Sequence, residues 1–541
     1  MKTKYLIVSV LAAAFALASC EKEPSADNHL WDANLFISFQ VDPEAATKTS
    51  GATEDDETTE AKISSLRLFL AKCSSAGVPD ATAKVAEIGA DFIELNSTSN
   101  SAEAKVISTD GDYQLLYVIA NCPSGLTIDT TSYDAFIGSY SLTNTAAAVG
   151  AVWTDNKFMM VNSFDANKSV TGGVTCYNGG VLVDFSNQTN EATVTLERVA
   201  AKIIAGQDKF IDFSAKLQKV YGADDDHGYV ISAAEIDAWA LMNCVNSFNL
   251  IQKYTTDSKT FHKIGTSVPD VIVTPSSNDQ GTSPYPVVKK NADGTFTSPS
   301  GYYYTNPKFT GFDASDEPTY TDLVFVDAGK ALYCLENNPP YFPATYTKNN
   351  GLSPTPSVSD SKMKGRCTAV IFRAKILLAD GFDSGADTEP VGGPGAPGSW
   401  DVYPTKAYRT DIDTTIYMYK GKYYADLARL KTDYSTTLGS CSTNDDLRGQ
   451  GVKVYENGYM YYTYYIAKTE ITGCYVPYYC VERNKSYRLT VKAVSGLGDD
   501  LPCDYTNYDP EDPVDMAIPK MKVSVDVLPW DEKDPVTYEI K

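Results

Sequence analysis

Apolar and polar residues alternate along several short segments of this 541-residue chain. In the clearest segment, Leu35, Ile37, Phe39 and Val41 occupy every second position. Successive side chains of a strand point to opposite faces, so this period predicts a strand with one buried face. Further predicted strands are residues 65–70, 113–121 and 181–185.

Helical signals are fewer. Residues 423–431 predict a short helix, with Leu427 and Leu430 on one side. Ser232 and Glu235 have the spacing of a helix capping box, but the residues that follow also alternate. Periodicity therefore leaves helix and strand open at that point.

Composition favours a β-rich secreted protein and excludes one class of partner. Tyr (37) outnumbers Phe (20), and Gly and Pro contribute 36 and 27 residues. Tyr, Val and Thr favour pleated surfaces, whereas Gly and Pro favour turns. The 69 acidic residues exceed the 46 basic ones and give a net charge of −23, which repels a phosphate backbone. No nucleic-acid partner is expected.

The N-terminus has the pattern of a bacterial export signal. Lys2 and Lys4 precede an apolar run over residues 5–16, which is short for a membrane span. The Leu-Ala-Ser-Cys sequence ending at Cys20 resembles a lipobox. This resemblance implies that Cys20 is lipidated and that the signal peptide, residues 1–19, is removed. The alternative is an ordinary secretory signal whose cleavage site happens to fall near a cysteine.

Candidate chemistry for catalysis is sparse. The three histidines, His29, His227 and His262, form no His-Glu-x-x-His motif, and no Cys-x-x-Cys pair occurs. The acidic run 224–226 before His227 could hold a cation, but it lacks the ligand spacing of a calcium loop, which favours a solvated loop. We expect no enzyme activity, no cofactor and no metal site.

Several ordered motifs resemble those of the Bacteroidales fimbrillins, the subunits of type V pili. Within that family they are most similar to the shaft subunit of the minor fimbrium, and with the lipobox they span essentially the whole precursor. The motifs are residues 196–203, 333–337, 483–491, 496–498 and 525–530.

This resemblance implies a mainly β fold of two β-sandwich-like (transthyretin-like) domains with a few short helices. The N-terminal domain is expected over residues 50–190. The C-terminal domain is expected over residues 191–541, and it ends in donor strands at about 521–541. Residues 20–49 would be a lipid-anchored tether and first strand that are removed on maturation.

The resemblance also implies polymerisation by donor-strand exchange. A protease cuts after the first strand, and a strand from another subunit fills the vacated groove. Here the displaced strand would carry Leu35, Ile37, Phe39 and Val41. The alternative for the C-terminal strand is that it completes the sheet of its own subunit. The residues expected in the donor strand are Val523, Val525, Val527, Val536, Tyr538 and Ile540.

The processing residue departs from the arginine that is typical of the family. No Arg lies between Cys20 and Arg67, and Arg67 falls in a predicted strand. Residues 42–62 are Thr-rich and acidic and predict an exposed loop, which contains Lys48 and Lys62. Cleavage is therefore predicted after Lys48, with Lys62 as the alternative.

The function implied is that of a structural shaft subunit which supports adhesion. It would be an outer-membrane lipidated precursor first and part of a cell-surface fimbrium afterwards. Its expected partners are copies of itself, accessory tip and anchor pilins, a processing protease, and host or bacterial surface ligands. The alternative function is a pilus-tip adhesin or a surface lipoprotein that binds glycan.

Overall fold

The structure is a computed structural model, and it describes most of the chain in separate ranges. These are residues 31–41, 60–108, 113–142, 149–153, 157–164, 169–171, 174–176, 179–186, 189–207, 211–212, 218–223, 227–255, 271–273, 289–290, 296–297, 308–312, 318–321, 324–339, 364–383, 414–467, 479–494, 496–502, 521–529 and 537–539.

Strands dominate the described residues, so the prediction of a mainly β protein is confirmed. The first twelve strands are β1 (Trp31–Val41), β2 (Leu66–Lys72), β3 (Ala86–Ile88), β4 (Ile93–Asn96), β5 (Ser101–Ser108), β6 (Tyr113–Ala120), β7 (Ser139–Ser141), β8 (Met160–Asn162), β9 (Ser169–Thr171), β10 (Val174–Cys176), β11 (Val181–Asp184) and β12 (Thr189–Arg198).

The remaining strands follow in chain order. They are β13 (Ala200–Gln207), β14 (Ile211–Asp212), β15 (Gln218–Tyr221), β16 (His227–Met242), β17 (Ser247–Asn249), β18 (Lys253–Thr255), β19 (Val271–Val273), β20 (Lys289–Lys290), β21 (Phe296–Thr297), β22 (Lys308–Phe312), β23 (Pro318–Thr321), β24 (Val326–Asp327), β25 (Ala331–Leu335), β26 (Ala369–Asp383), β27 (Ile416–Tyr419), β28 (Lys422–Tyr424), β29 (Lys453–Tyr455), β30 (Tyr459–Tyr465), β31 (Lys485–Val494), β32 (Met521–Pro529) and β33 (Thr537–Glu539).

Helices in the described residues are short. The α-helices are α1 (Tyr133–Phe136), α2 (Leu427–Asp433), α3 (Ser435–Leu438) and α4 (Asn444–Gly449), and the 3-10 turns are Ala90–Phe92, Lys364–Arg366 and Glu456–Gly458.

The N-terminal sheet has the strand order β3-β2-β6-β8-β12-β1-β5-β4, and β11 also pairs with β6. Strand β6 is buried on both faces. Leu116 and Val118 lie in one apolar cluster, and Leu115 and Tyr117 lie in another. A strand covered on both sides reads as a continuous apolar run, which explains the sequence of residues 113–120.

Two further sheets form the C-terminal half and pack face to face. One has the order β25-β13-β31-β32-β33, and the other has the order β29-β27-β28-β15-β16-β26-β30, with β14 and β24 also paired to β16. Ile203 and Tyr487 of the first sheet share an apolar cluster with Trp239 and Phe372 of the second. Interdigitation of two inner faces is the arrangement of a β-sandwich.

Two local expectations are resolved or shifted by the structure. The alternation after Ser232 corresponds to the long strand β16, so the strand alternative holds at that point. The helix predicted at residues 423–431 begins at Leu427, because residues 422–424 form β28 and the Asp426 side chain accepts a hydrogen bond from the Arg429 N–H at 2.6 Å. Leu430 is buried, in agreement with its predicted position on the apolar side of the helix.

The chain passes from the first sheet to the second at Val199. Strand β12 belongs to the N-terminal sheet and β13 to the C-terminal one. The sequence-based boundary between residues 190 and 191 lies inside β12. The division into two domains stays a prediction.

Candidate functional site

Strand β1 lies in the interior of the N-terminal sheet. It pairs in parallel with β12, from Asn34 opposite Thr189 to Val41 opposite Leu196. On its other side it pairs antiparallel with β5, over residues 31–38 and 101–108. Removing β1 would therefore leave two facing, unpaired strand edges, and the pair β4–β5 would lose its connection to β12.

One face of β1 is an apolar ridge, as the alternation predicted. The exposed fractions of Leu35, Ile37 and Phe39 are 0%, 2% and 5%, and Ala33 continues the same face. Val41 is half-buried at the end of the strand and packs against the same cluster. This ridge belongs to the same apolar cluster as the cross-strand neighbours that β5 and β12 place beside it, so the site of β1 is a groove suited to an alternating strand. The neighbours are Ala102, Ala104, Val106, Ala192, Val194 and Leu196.

The edges of β1 are also fixed by polar contacts. The Ser38 and Thr193 hydroxyl oxygens are 3.0 Å apart, and the Phe39 N–H donates to the Asn100 carbonyl at 2.8 Å. Ser38 and Gln40 are exposed on the opposite face. An incoming strand would need polar residues at these alternate positions.

The C-terminal strand β32 is paired on both sides within its own chain. It runs antiparallel to β31, from Met521 opposite Val494 to Pro529 opposite Lys485. The short strand β33 covers its other edge at three positions. In this single chain β32 therefore completes its own sheet.

The predicted donor residues are distributed unequally over these two strands. Val523 and Val525 are buried in the apolar cluster, with exposed fractions of 2% and 0%. Val527 lies opposite Tyr487 in the β31–β32 ladder, and Tyr538 lies opposite Val525. Val536 and Ile540 lie outside the described residues. Donation of this segment to another copy stays a prediction.

The predicted processing residues are placed only in part. Cys20 and Lys48 lie outside the described residues. Lys62 has an exposed side chain, but its carbonyl accepts a hydrogen bond from Asn121 Nδ2 at 2.8 Å. Arg67 lies in β2, as predicted, and its Nε–H and Nη2–H donate to the two oxygens of Glu87 at 2.7 and 3.0 Å. This hydrogen bonding raises the pKa of Arg67 further above its usual range.

Three of the sequence motifs meet in a buried cluster of charges. Arg483 donates from Nη2 to Glu336 Oε1, and both side chains are fully buried. Its Nη1 lies 3.8 Å from Oε1 of Glu197 and donates to the Leu250 carbonyl at 3.0 Å. Gln252 completes the cluster by donating to Glu336 Oε2 at 3.2 Å. Charges taken out of water require such paired and hydrogen-bonded surroundings.

Tyr487 of the same motif region stands in the core beside this cluster. Its hydroxyl oxygen accepts a hydrogen bond from the Glu482 N–H at 2.8 Å. Burial raises the pKa of Tyr487 well above its usual value, so the ring stays neutral. Its role is to fix the turn that precedes β31.

A second buried group lies beside the first and was missed by sequence reasoning. The Glu60 carboxylate contacts Lys202 Nζ at 3.0 Å, and the Tyr333 hydroxyl donates to the same oxygen, Oε1, at 2.9 Å. Arg198 Nε donates to the Glu60 carbonyl at 3.3 Å. The available signal was a charged residue within an otherwise apolar strand, as Lys202 is in β13.

Two other kinds of functional feature are absent from the described residues. No group of three or more His, Cys, Asp or Glu side chains there could hold a metal ion. His227 begins β16, whereas residues 224–226, His29 and His262 lie outside the described part. In the same part of the chain, no helix has the length and apolar character needed to cross a membrane.

Comparisons with solved structures give weak overall likenesses. A candidate cell adhesion protein from Parabacteroides distasonis is 12% identical with a TM-score of 0.40, covering 93% of this chain and 100% of the other. A candidate cell adhesion protein from Bacteroides eggerthii is 13% identical with a TM-score of 0.36, covering 93% and 98%. The tip fimbrial protein Mfa3 from Porphyromonas gingivalis is 11% identical with a TM-score of 0.29, covering 92% and 100%. Likenesses this weak carry no conclusion about the present chain.

A family match is more informative. No protein of curated function matches the chain. Residues 453–535, however, match the family described as "Major fimbrial subunit protein type IV, Fimbrillin, C-terminal". This range includes the motif at residues 483–491 and the strands β31 and β32. This part of the chain is therefore similar to the C-terminal region of the fimbrillins, which confirms the resemblance that the sequence motifs indicated.

Proposed function

We propose that this protein is a structural subunit of a bacterial cell-surface fimbria and that it polymerises by donor-strand exchange. The position of β1 carries the proposal. It is an interior strand of its sheet, yet it precedes every other described strand in the chain. A single cut between residues 41 and 60 would leave β1 attached to the folded protein by non-covalent contacts alone.

The groove left by β1 is chemically suited to another strand. Burial of the Leu35, Ile37 and Phe39 side chains contributes roughly 1.5–3 kcal/mol each. Ladder hydrogen bonds on both edges add about 0.5–1.5 kcal/mol each. An empty groove lacks both the apolar burial and the ladder hydrogen bonds. A strand with the same alternation restores them, so its binding free energy is comparable to that of β1.

The C-terminal segment is the proposed donor. Strand β33 pairs with β32 at three positions only, so β33 can leave its own chain at little cost. Releasing β32 would instead expose Val523 and Val525 and open the whole β31–β32 ladder. We therefore assign the first contact between subunits to the segment with Val536, Tyr538 and Ile540, and an extension through Val527, Val525 and Val523 to the complete joint.

Deletion of residues 530–541 tests this assignment. The matured deletion variant is expected to stay a folded monomer, since β32 keeps its pairing with β31, and to form no filaments in negative-stain electron microscopy. A matched control exchanges only the exposed Lys422 for Gln, which leaves both ends of the chain intact. Filaments from the deletion variant would contradict donation by this segment.

Export and maturation complete the proposal. Lipidation of Cys20 would hold the precursor at the outer membrane, and cleavage after Lys48 would release β1 together with the lipid. A Cys20→Ala precursor is expected to lose labelling by a radioactive fatty acid. A Lys48→Gln precursor is expected to keep β1 and to remain monomeric. Filaments whose subunits begin before residue 35 would refute this maturation route.

A pilus-tip adhesin or a glycan-binding surface lipoprotein is the second candidate function, and it has one observation in its favour. Strand β32 is paired on both sides within its own chain, as expected of a subunit that accepts a strand but donates none. Such a subunit would cap filaments of another pilin without forming its own. Mature protein that shortens filaments when it is added in small amounts would favour the tip over the shaft.

A further inference from the structure

Residues 60–65 follow the proposed processing region, and they are fixed to both halves of the protein. Glu60 and Ile63 are 2% and 0% exposed. Strand β2 begins directly after this segment, at Leu66. The position of the segment makes it the first part of the chain that remains in place if β1 is removed.

The C-terminal half holds the beginning of this segment. Oε1 of Glu60 lies 3.0 Å from Lys202 Nζ and accepts the Tyr333 hydroxyl at 2.9 Å. Lys202 and Tyr333 face one another across the β13–β25 ladder, so one carboxylate joins two strands. The Lys202 side chain is only 7% exposed, and the Glu60 side chain is only 2% exposed.

The N-terminal half holds the end of the segment through Asn121. Its Oδ1 accepts the Ser64 and Ser65 N–H groups at 2.8 and 3.3 Å. Its Nδ2 donates to the carbonyls of Lys62 and Phe158 at 2.8 and 3.0 Å. Asn121 has a φ of +52°, a conformation that Asn adopts more readily than most other residues.

We propose that residues 60–65 form an anchor that Glu60 locks through Lys202 and Tyr333, and that this anchor shields the Lys62–Ile63 bond from proteolysis while it keeps the two halves joined. This role of the anchor rests on the proposed function, in which β1 is removed by cleavage. Cleavage after Lys62 would take Glu60 away and leave the Lys202 ammonium buried without its carboxylate. Cleavage before Glu60 preserves the ion pair.

The protection of the Lys62–Ile63 bond depends on how accessible the main chain is to a protease. A protease must bind several extended residues around the bond that it cuts, so a fixed segment is cut only in locally open molecules. The exposed Lys62 side chain is insufficient, because the residues around it are buried or hydrogen-bonded. Glu60 thus acts as a positioning residue, since it sets which basic residue near the processing region can be used.

Limited digestion of the full chain with trypsin tests the anchor. The readout is the rate at which a fragment beginning at Ile63 appears in mass spectrometry. Wild-type protein is expected to resist this cut. Glu60→Gln or Lys202→Met leaves one buried charge without its partner, so the cut should become about a hundredfold faster.

Two further variants separate the ion pair from general damage. Glu87→Gln breaks the Arg67–Glu87 pair, whose side chains are 31% and 38% exposed, and should leave the rate unchanged. The double variant Glu60→Gln/Lys202→Met buries no unpaired charge and should return to within about tenfold of the wild-type rate. A double variant as open as either single variant would overturn the anchor.

Global unfolding and failure of strand exchange give different results. A globally unfolded variant is also cut within β31, after Lys485, whereas a locally opened one differs from the wild type only by the cut after Lys62. Wild-type protein that is cut after Lys62 as fast as Glu60→Gln refutes the anchor, whether or not filaments form. Protection of Lys62 in a protein that never forms filaments refutes the strand exchange and supports the anchor.

Discussion

At the scale of single residues, the interior of the fold contains a set of paired charges. Arg483 and Glu336 are both fully buried, and Asn249 and Leu250 supply carbonyl acceptors to the guanidinium. Such a pair contributes little stability over an apolar pair of the same size, but loss of one partner is costly because the other charge stays buried. The cluster therefore specifies how the strands meet.

Arg483→Leu is expected to destabilise the protein by roughly 3–5 kcal/mol, since Glu336 is left without its guanidinium. Urea denaturation followed by circular dichroism measures this loss. The matched control is Arg429→Leu, which removes a helix-surface pair with Asp433 whose side chains are 24% and 28% exposed. That control should cost no more than about 1 kcal/mol. Equal losses in the two variants would contradict a special role for the buried cluster.

At the scale of elements, sequence periodicity predicted those strands that have one exposed face. The alternation from Leu35 to Val41 marked β1 and its buried side correctly. The start of α2 was placed too early, because strand β28 before it depends on tertiary pairing with β27 and β15. The long strand β16 could not be told from a helix, since the helix capping-box spacing of Ser232 and Glu235 comes directly before its alternating residues.

The candidate site was predictable to the same degree. The residues of β1 were found because a local pattern encodes them. Its neighbours β5 and β12 were not, since pairing between residues 34–41 and 189–196 depends on contacts far apart in the sequence. Glu60 was missed for the same reason, because its partners Lys202 and Tyr333 lie more than a hundred residues away.

Leu35→Ala in β1 separates the precursor from the mature protein. Truncation of this fully buried side chain should destabilise the precursor by about 2–5 kcal/mol. The same change has no effect on a mature chain that has lost β1. Thermal unfolding of both forms measures the difference, with the exposed Gln40→Ala as the control that should leave both unchanged. A Leu35→Ala precursor as stable as the wild type would contradict the packing of β1.

At the scale of the whole molecule, charge and topology act together. The chain carries a net charge of −23, so copies of it repel one another in solution. The two halves of each copy are nevertheless held by buried pairs that salt barely screens. Assembly and folding should therefore respond differently to ionic strength.

Polymerisation of the matured protein is expected to become roughly tenfold faster as salt rises from about 10 to 150 mM, because screening weakens the repulsion between copies. Light scattering at fixed protein concentration follows the rate. The unfolding midpoint over the same range serves as the control and should change little. A rate that falls with added salt would indicate that oppositely charged faces attract one another.

The parallel pairing of β1 with β12 also has a consequence for any fibre built in this way. A strand that enters the groove in the direction of β12 reproduces both ladders of β1, parallel on one side and antiparallel on the other. If each subunit accepts a strand from the next in this way, all subunits have the same orientation along the fibre. Such a fibre has two different ends, one with an empty groove and one with a free donor strand. It lengthens at the first end by accepting a strand and at the second end by donating one.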